Sequence, residues 1–305
     1  DTHTEAIVRS FIESLTSGKF MVTTELIPPK GSHLTPLFEK AEALRDQVDA
    51  FILTDSHAAQ MSMSPLAVAH LLINRGIEPI LSINCGGRNR IALQSDLLGA
   101  HALGIKNIVC MTGDHPAVGD HPEAIPVFDL DSISLLRAIA SHRAGKDMSG
   151  RRLTGTSAFL AGAVVNPAIT NQDQQMRRME MKVAAGAQFF VTQAVFDPLL
   201  FKSFMSTASK FSIPIIAGLI VLKSGDMARR LNASLLGIAV PDVLIDEMDR
   251  AEDPDSTGAA IATRTIKDLM SLCQGVHLVS VGREYQIPRV LKAAGIATGS
   301  SLGER

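Results

Sequence analysis

Cysteine is scarce and scattered in this chain. Cys85, Cys110 and Cys273 are the only three in 305 residues. None belongs to a Cys-x-x-Cys pair or lies at metal-ligand spacing from a histidine cluster. A disulfide framework and a zinc module are therefore excluded, and reduced thiols in a cytoplasmic protein are the expectation. Charge of one sign is missing too: 29 Lys and Arg face 31 Asp and Glu, for a net charge of −2. That balance offers no basic field to nucleic acid and no polybasic stripe to anionic lipid. Long hydrophobic runs are absent, since Ile213 to Leu222 and Phe159 to Val165 fall well short of the roughly 18 residues of a membrane helix, and the first residues have no signal-peptide pattern. There is no Gly-x-Ser-x-Gly elbow and no Walker loop, which removes the commonest serine hydrolase and P-loop readings. His57, His101, His115 and His121 form no i, i+4 or His-Glu-x-x-His pair, so no metal is expected.

What is present is a core-forming composition, 46% hydrophobic and 20% charged, arranged as short apolar runs alternating with longer amphipathic stretches. The runs predict strands over Phe20–Leu26, Asp49–Thr54, Glu78–Asn84, Asn107–Thr112, Leu160–Val165, Phe189–Gln193, Pro214–Ile220 and Val276–Val281. Helices are predicted between them, over Leu34–Arg45, Pro65–Arg75, Arg90–Leu103, Ser132–Ala144, Gln172–Ala185, Pro198–Ser209, Ser224–Asn232, Ile266–Leu272 and Ile287–Ala294. Arg75-Gly76, Leu103-Gly104 and Ala185-Gly186 supply glycine C-caps just ahead of strands. Eight strand and helix units in this length fit a closed α/β barrel, a single (β/α)8 TIM barrel over residues 1–305, better than an open doubly wound sheet. The acidic stretch Asp246–Ser256 reads as a solvated helix face and loop. The chain ends soon after the eighth unit, which argues against a fused regulatory domain.

A barrel places its active site at the C-terminal ends of its strands. That rule selects Glu25, Thr54, Asp55, Ser82, Asn84, Arg88, Gly113, Asp114, Asn166, Thr192, Gln193, Phe196 and Arg283. A glutamate in an apolar strand is costly unless paired or functional. Glu25 is thus either a general acid or half of a salt bridge to Arg283 or Lys30. Asp114, after Gly113, is either a site carboxylate or a turn or N-cap aspartate. The loop Cys85-Gly86-Gly87-Arg88-Asn89-Arg90, with bare amides and two guanidiniums at a helix start, is a candidate anion site.

Five segments in order carry a resemblance: Glu25-Leu26-Ile27-Pro28-Pro29-Lys30, Asn89 through Ala100, Thr112-Gly113-Asp114-His115-Pro116, Lys182 through Ala187, and Thr192 through Asp197. Together they make the chain similar to the methylenetetrahydrofolate reductase family, flavin-dependent barrel enzymes of one-carbon metabolism. The stretch running on to Val127-Phe128-Asp129-Leu130-Asp131-Ser132 resembles the shorter members found in acetogens and in fusions with homocysteine methyltransferases. The resemblance implies that Glu25 protonates N10 of 5,10-methylenetetrahydrofolate, opening its ring to a 5-iminium cation. It implies that Asp114 stands beside flavin and pterin and stabilises that cation. Gln193 would hydrogen-bond the pterin, Phe196 pack the aminobenzoate, and Arg283 lie near the folate. Thr54, Ser82, Gly113, Asp114, Asp129, Asn166, Arg178 and Lys182 would line the flavin, with Lys182 near a phosphate. The expected cofactor is FAD, with FMN as the alternative because Ser82, Gly86-Gly87, Val221 and Gly162 depart from the family pattern, Gly162 replacing an aromatic that covers adenine in relatives.

The reaction so implied is ping-pong. NAD(P)H or a partner electron-transfer subunit reduces the flavin, and methylenetetrahydrofolate then takes the hydride from flavin N5 to become 5-methyltetrahydrofolate. Glu25 must hold its proton near neutrality, above the ordinary glutamate value of ~4.3, through burial and the negative Asp114. A homo-oligomer is expected. A pterin-dependent methyltransferase barrel and a redox-inactive folate-binding subunit are the competing readings.

Overall fold

The computed structural model describes residues 10–234 and 237–297. The apolar runs become eight strands: β1 (Met21–Leu26), β2 (Ala50–Leu53), β3 (Pro79–Asn84), β4 (Asn107–Met111), β5 (Leu160–Val165), β6 (Phe189–Ala194), β7 (Ile215–Ile220) and β8 (Gly275–Val279). They are joined in sequence order into a closed barrel. Every pair is parallel, and the closing pair sets Thr23 of β1 opposite His277 of β8. The helices are α1 (Phe11–Thr16), α2 (Thr35–Leu44), α3 (Pro65–Ile73), α4 (Arg90–Ala102), α5 (Ser132–Arg143), α6 (Gln172–Ala184), α7 (Pro198–Ala208), α8 (Gly225–Ser234), α9 (Asp242–Asp249), α10 (Pro254–Leu269) and α11 (Gln286–Ala294). This is the expected TIM barrel, and no described helix is long and apolar enough to cross a membrane.

Strand alternation sorts the side chains into two cores. Outward-facing residues such as Val22, Leu53, Ile83, Cys110 and Phe190 pack under the helices. Inward-facing Met21, Ile52, Ile80, Val109, Leu160, Phe189, Val191 and Ile216 fill the barrel. All three cysteines are free and buried.

Helix α1 is an element that periodicity did not reveal, because six residues show less than two helical turns. A capping box at Ser10 and Glu13 starts it, and its Phe11 is fully buried among the barrel-filling residues. The Phe11 amide donates to Glu78 Oε2 at 2.9 Å, and Glu78 Oε1 accepts from Asn107 Nδ2 at 2.8 Å. The N-terminal mouth of the barrel is thereby plugged. Gly162 belongs to this same interior: a Cβ there would lie 2.5 Å from the Phe189 ring. Its small size therefore makes room for Phe189.

The region before β8 also differs from expectation. Helix α10 begins at Pro254, well ahead of Ile266, because Asp253 caps the amides of Asp255 and Ser256 and Pro254 takes the first helical position. The acidic stretch is knitted rather than merely solvated: Asp249 pairs with Arg229, Glu247 with Arg264, and Asp255 with Arg283.

Candidate active site at the strand C-termini

Glu25 is the fifth residue of β1, and alternation with Met21 and Thr23 turns it inward at the open end of the barrel. Neither cation proposed as its partner reaches it. Lys30 binds Asp120 and Arg283 binds Asp255. Burial pushes the Glu25 carboxyl above its ordinary value of 4.5, opposed by His57 and Lys40 and reinforced by Glu284. The like charge acting on Glu25 is thus Glu284 on the loop after β8, and not Asp114 as expected.

Around that carboxyl the mouth is polar. Thr54, at the end of β2, has a buried hydroxyl with no hydrogen-bond partner. Ser82 is buried on the inward face of β3. Gln193 is exposed although it lies within β6, and a local irregularity explains why. The register between β6 and β7 shifts between Val191 and Ala194. There the Thr192 hydroxyl accepts from the Gly218 amide at 2.9 Å, standing in for a ladder carbonyl. Gly218 permits this because a Cβ would lie 2.4 Å from the Thr192 carbonyl oxygen. Gln193 lies within this irregular stretch and is the exposed residue of β6.

Asp114 is exposed just past β4, in a loop shaped by two glycines. Gly113 adopts φ +91°, and a Cβ on it would press to 3.0 Å from Asn84 Cβ. Gly86 brings the β3 loop against the Asp114 carbonyl and the Phe128 ring. The same loop is pinned across the mouth by Asp120, which accepts from Lys30 Nζ, from the Met61 amide at 3.0 Å and from His121 Nδ1 at 2.9 Å. Sequence reasoning missed this clamp, which joins the loops after β1, β2 and β4.

The predicted anion site in the β3 loop is not free. Arg88 is bound to Asp55 and, at 2.8 Å, to Asp96. Arg90 grips Asp129 through Nε at 2.9 Å and Nη2 at 2.8 Å, while Asn89 caps α4. Asp129, expected at the flavin, is thereby committed to Arg90. A different cationic cluster lies beside β5. Lys182 on α6 is buried, and its Nζ donates to the Val164 carbonyl at 2.5 Å. Burial and the charge of Arg178 lower its pKa to about 8, against the pull of Asp131. Asn166, at the end of β5, accepts from the Ala168 amide at 3.0 Å. Phe196 is buried in a satellite cluster with Ile238, Val240 and Leu244.

Two cations sharing a single carboxylate, a hydroxyl left unpartnered in the mouth, and a glycine-shaped loop suit a planar, phosphate-bearing cofactor such as a flavin. Among the described residues no group of His, Cys, Asp and Glu could hold a metal.

The sequence pattern of one family, methylenetetrahydrofolate reductase, matches residues 10–295. The chain belongs to that family. Among its relatives are the "Probable methylenetetrahydrofolate reductase (NADPH)" of Caenorhabditis elegans, 22% identical over 89% of this chain and 42% of its own length, and "Methylenetetrahydrofolate reductase 2" of Schizosaccharomyces pombe, 25% identical over 73% of this chain and 36% of its own. The "5,10-methylenetetrahydrofolate reductase" of Pectobacterium carotovorum is 22% identical over 87% of this chain and 86% of its own. The matched region thus spans less than half of the nematode and fission-yeast reductases but most of the bacterial one. The methylenetetrahydrofolate reductase match runs from just before α1 to the end of α11 and takes in all eight strands.

Proposed function

We propose that this family member reduces 5,10-methylenetetrahydrofolate to 5-methyltetrahydrofolate with a bound flavin, FAD in the first instance. The observation that carries the reading is Glu25, a carboxyl aimed into the barrel mouth and biased by burial toward its protonated form. Such a group keeps a proton to give at higher pH than a surface glutamate does.

The residues divide the work. Glu25 donates its proton to N10 of the folate, and the five-membered ring opens to a 5-iminium cation. Gln193, exposed at the β6 irregularity, presents an amide whose donor and acceptor match the pterin's mixed edge. Asp114 supplies fixed negative charge for the cationic iminium. Lys182 and Arg178 hold the cofactor phosphate, with Thr54 and Ser82 as polar contacts nearer the strand ends. The flavin, when bound and reduced by NAD(P)H or an electron-transfer subunit, supplies the hydride. Arg283, held by Asp255, meets the folate's outer portion.

The test is spectroscopic, then chemical. Purified protein should show flavin bands near roughly 375 and 450 nm, and the photoreduced protein should be reoxidised anaerobically by methylenetetrahydrofolate. A colourless protein that takes up neither FAD nor FMN, yet transfers a methyl group from methyltetrahydrofolate to a corrinoid, would replace the reductase by the methyltransferase reading.

A further inference from the structure

The charged groups acting on Glu25 come from three separate elements packed around the end of β1. His57 lies on the loop after β2, Lys40 on α2, and Glu284 on the loop after β8. Two of the three are joined to each other: Lys40 Nζ meets Glu284 Oε1 at 2.7 Å, and each side chain is about one-quarter exposed. The pair crosses the seam where β8 closes on β1. It therefore ties together the first and last parts of the barrel beside the candidate acid.

We propose that the Lys40–Glu284 ion pair is a control element for Glu25, holding one positive and one negative charge in balance across the seam beside the carboxyl. Lys40 and Glu284 are positioning residues, acting on the reaction through Glu25. The inference rests on the folate reductase reading for its catalytic meaning, and on the geometry of the seam for its electrostatics.

The physical argument turns on sign. Glu284 alone repels a second negative charge and favours protonated Glu25, whereas Lys40 alone attracts one and favours the carboxylate. Paired, they largely cancel at a distance, and burial is left to dominate. Removing either partner exposes the other. Glu284→Gln leaves Lys40 uncompensated and lowers the proton affinity of Glu25. Lys40→Met leaves Glu284 uncompensated and raises it. Both partners are partly in water, so each shift should be about one pH unit or less, and should shrink as salt is added. His57 is the third titratable group facing Glu25. Its contribution has the same sign as that of Lys40, so His57→Gln is carried as a background variant.

The experiment measures the titration midpoint of Glu25 directly, from the infrared carboxyl band identified by its loss in Glu25→Gln. The pH profile of the folate half-reaction is measured on the same flavin-loaded samples. The midpoint and the alkaline limb of the profile are expected to move down together in Glu284→Gln, up together in Lys40→Met, and back toward wild type in the double variant Lys40→Met/Glu284→Gln. A purely structural seam would lower activity and melting temperature in both single variants without opposite shifts. Two midpoints that stay within error of wild type, or that move the same way, overturn the proposal. Opposite midpoint shifts in a protein that never oxidises its flavin with the folate would uphold the control element and sink the reductase reading instead.

Discussion

The rings of Phe11 and Phe189 meet edge to face, with centroids 5.3 Å apart and planes inclined by 70°. One belongs to the short helix before β1 and the other to β6, so the contact closes the floor of the barrel from the side opposite the candidate site. Phe11 is fully buried, and truncating such a ring removes both transfer free energy and packing. Phe11→Ala should cost about 3–5 kcal/mol in urea unfolding while leaving flavin content per folded molecule unchanged. An exchange that costs less than ~1 kcal/mol would show that α1 is only loosely docked.

Glu25→Gln should separate the two half-reactions. Reduction of the flavin by its donor needs no proton from Glu25 and should proceed at close to the wild-type rate, whereas oxidation by methylenetetrahydrofolate should fall by about 100-fold or more. Equal losses in both halves would remove Glu25 as the folate acid. The same substitution carries a stability signature. The folded-state pKa of Glu25 is raised, so its favourable contribution is complete below about pH 4.5 and is lost as pH rises through the folded value. Glu25→Gln should therefore melt higher than wild type at neutral and alkaline pH, with the gap closing toward pH 4.

Much of this architecture is legible in the sequence because strands of a parallel barrel are buried on both faces and read as unbroken apolar runs. Each predicted strand lies within two residues of the observed one at either end. Glu25 also stands out, since it interrupts such a run. The environment of Glu25 was hidden for a topological reason: Lys40 and Glu284 are distant in sequence and meet only because β8 closes on β1. The two guanidiniums of the β3 loop were misread because a sequence shows cations without their partners, and Asp55, Asp96 and Asp129 come from other loops and helices. Short α1 and the bulge at Thr192 leave no periodic trace, although Gly218, whose amide donates to the Thr192 hydroxyl, is the residue that permits the latter.

His277 tests the barrel interior by pH. Its Nδ1 lies 3.0 Å from the Thr23 hydroxyl, and burial lowers its pKa to about 4 from an ordinary 6.5. A base with a depressed folded pKa contributes stability that is present above pH 6.5 and lost as pH falls toward 4, because the unfolded chain takes up a proton that the folded one refuses. The loss should be on the order of 2–3 kcal/mol across that window. In His277→Gln, which keeps a polar partner for Thr23, the fall in unfolding free energy between pH 6.5 and 4 should be shallower by about that amount. Parallel stability curves for the two proteins would show that His277 titrates normally and that its surroundings are wetter than its position implies.

Lys182 gives the cofactor assignment a readout that does not depend on turnover. Its amine is buried against the Val164 carbonyl and loses its proton near pH 8, a consequence of burial and of Arg178. A cofactor phosphate binds the protonated form, so flavin affinity should be steady at pH 7 and decline as pH rises past about 8. Titrations followed by quenching of flavin fluorescence should show that decline in wild type. Lys182→Met should bind about tenfold or more weakly at pH 7 and show little dependence on pH up to 9, because the group that titrates has gone. Arg178→Met removes the neighbouring cation, which both weakens phosphate binding and lets Lys182 keep its proton to higher pH, so its affinity should be lower at pH 7 but fall later. If all three proteins share one pH profile, the phosphate is held elsewhere and the cluster beside β5 is structural.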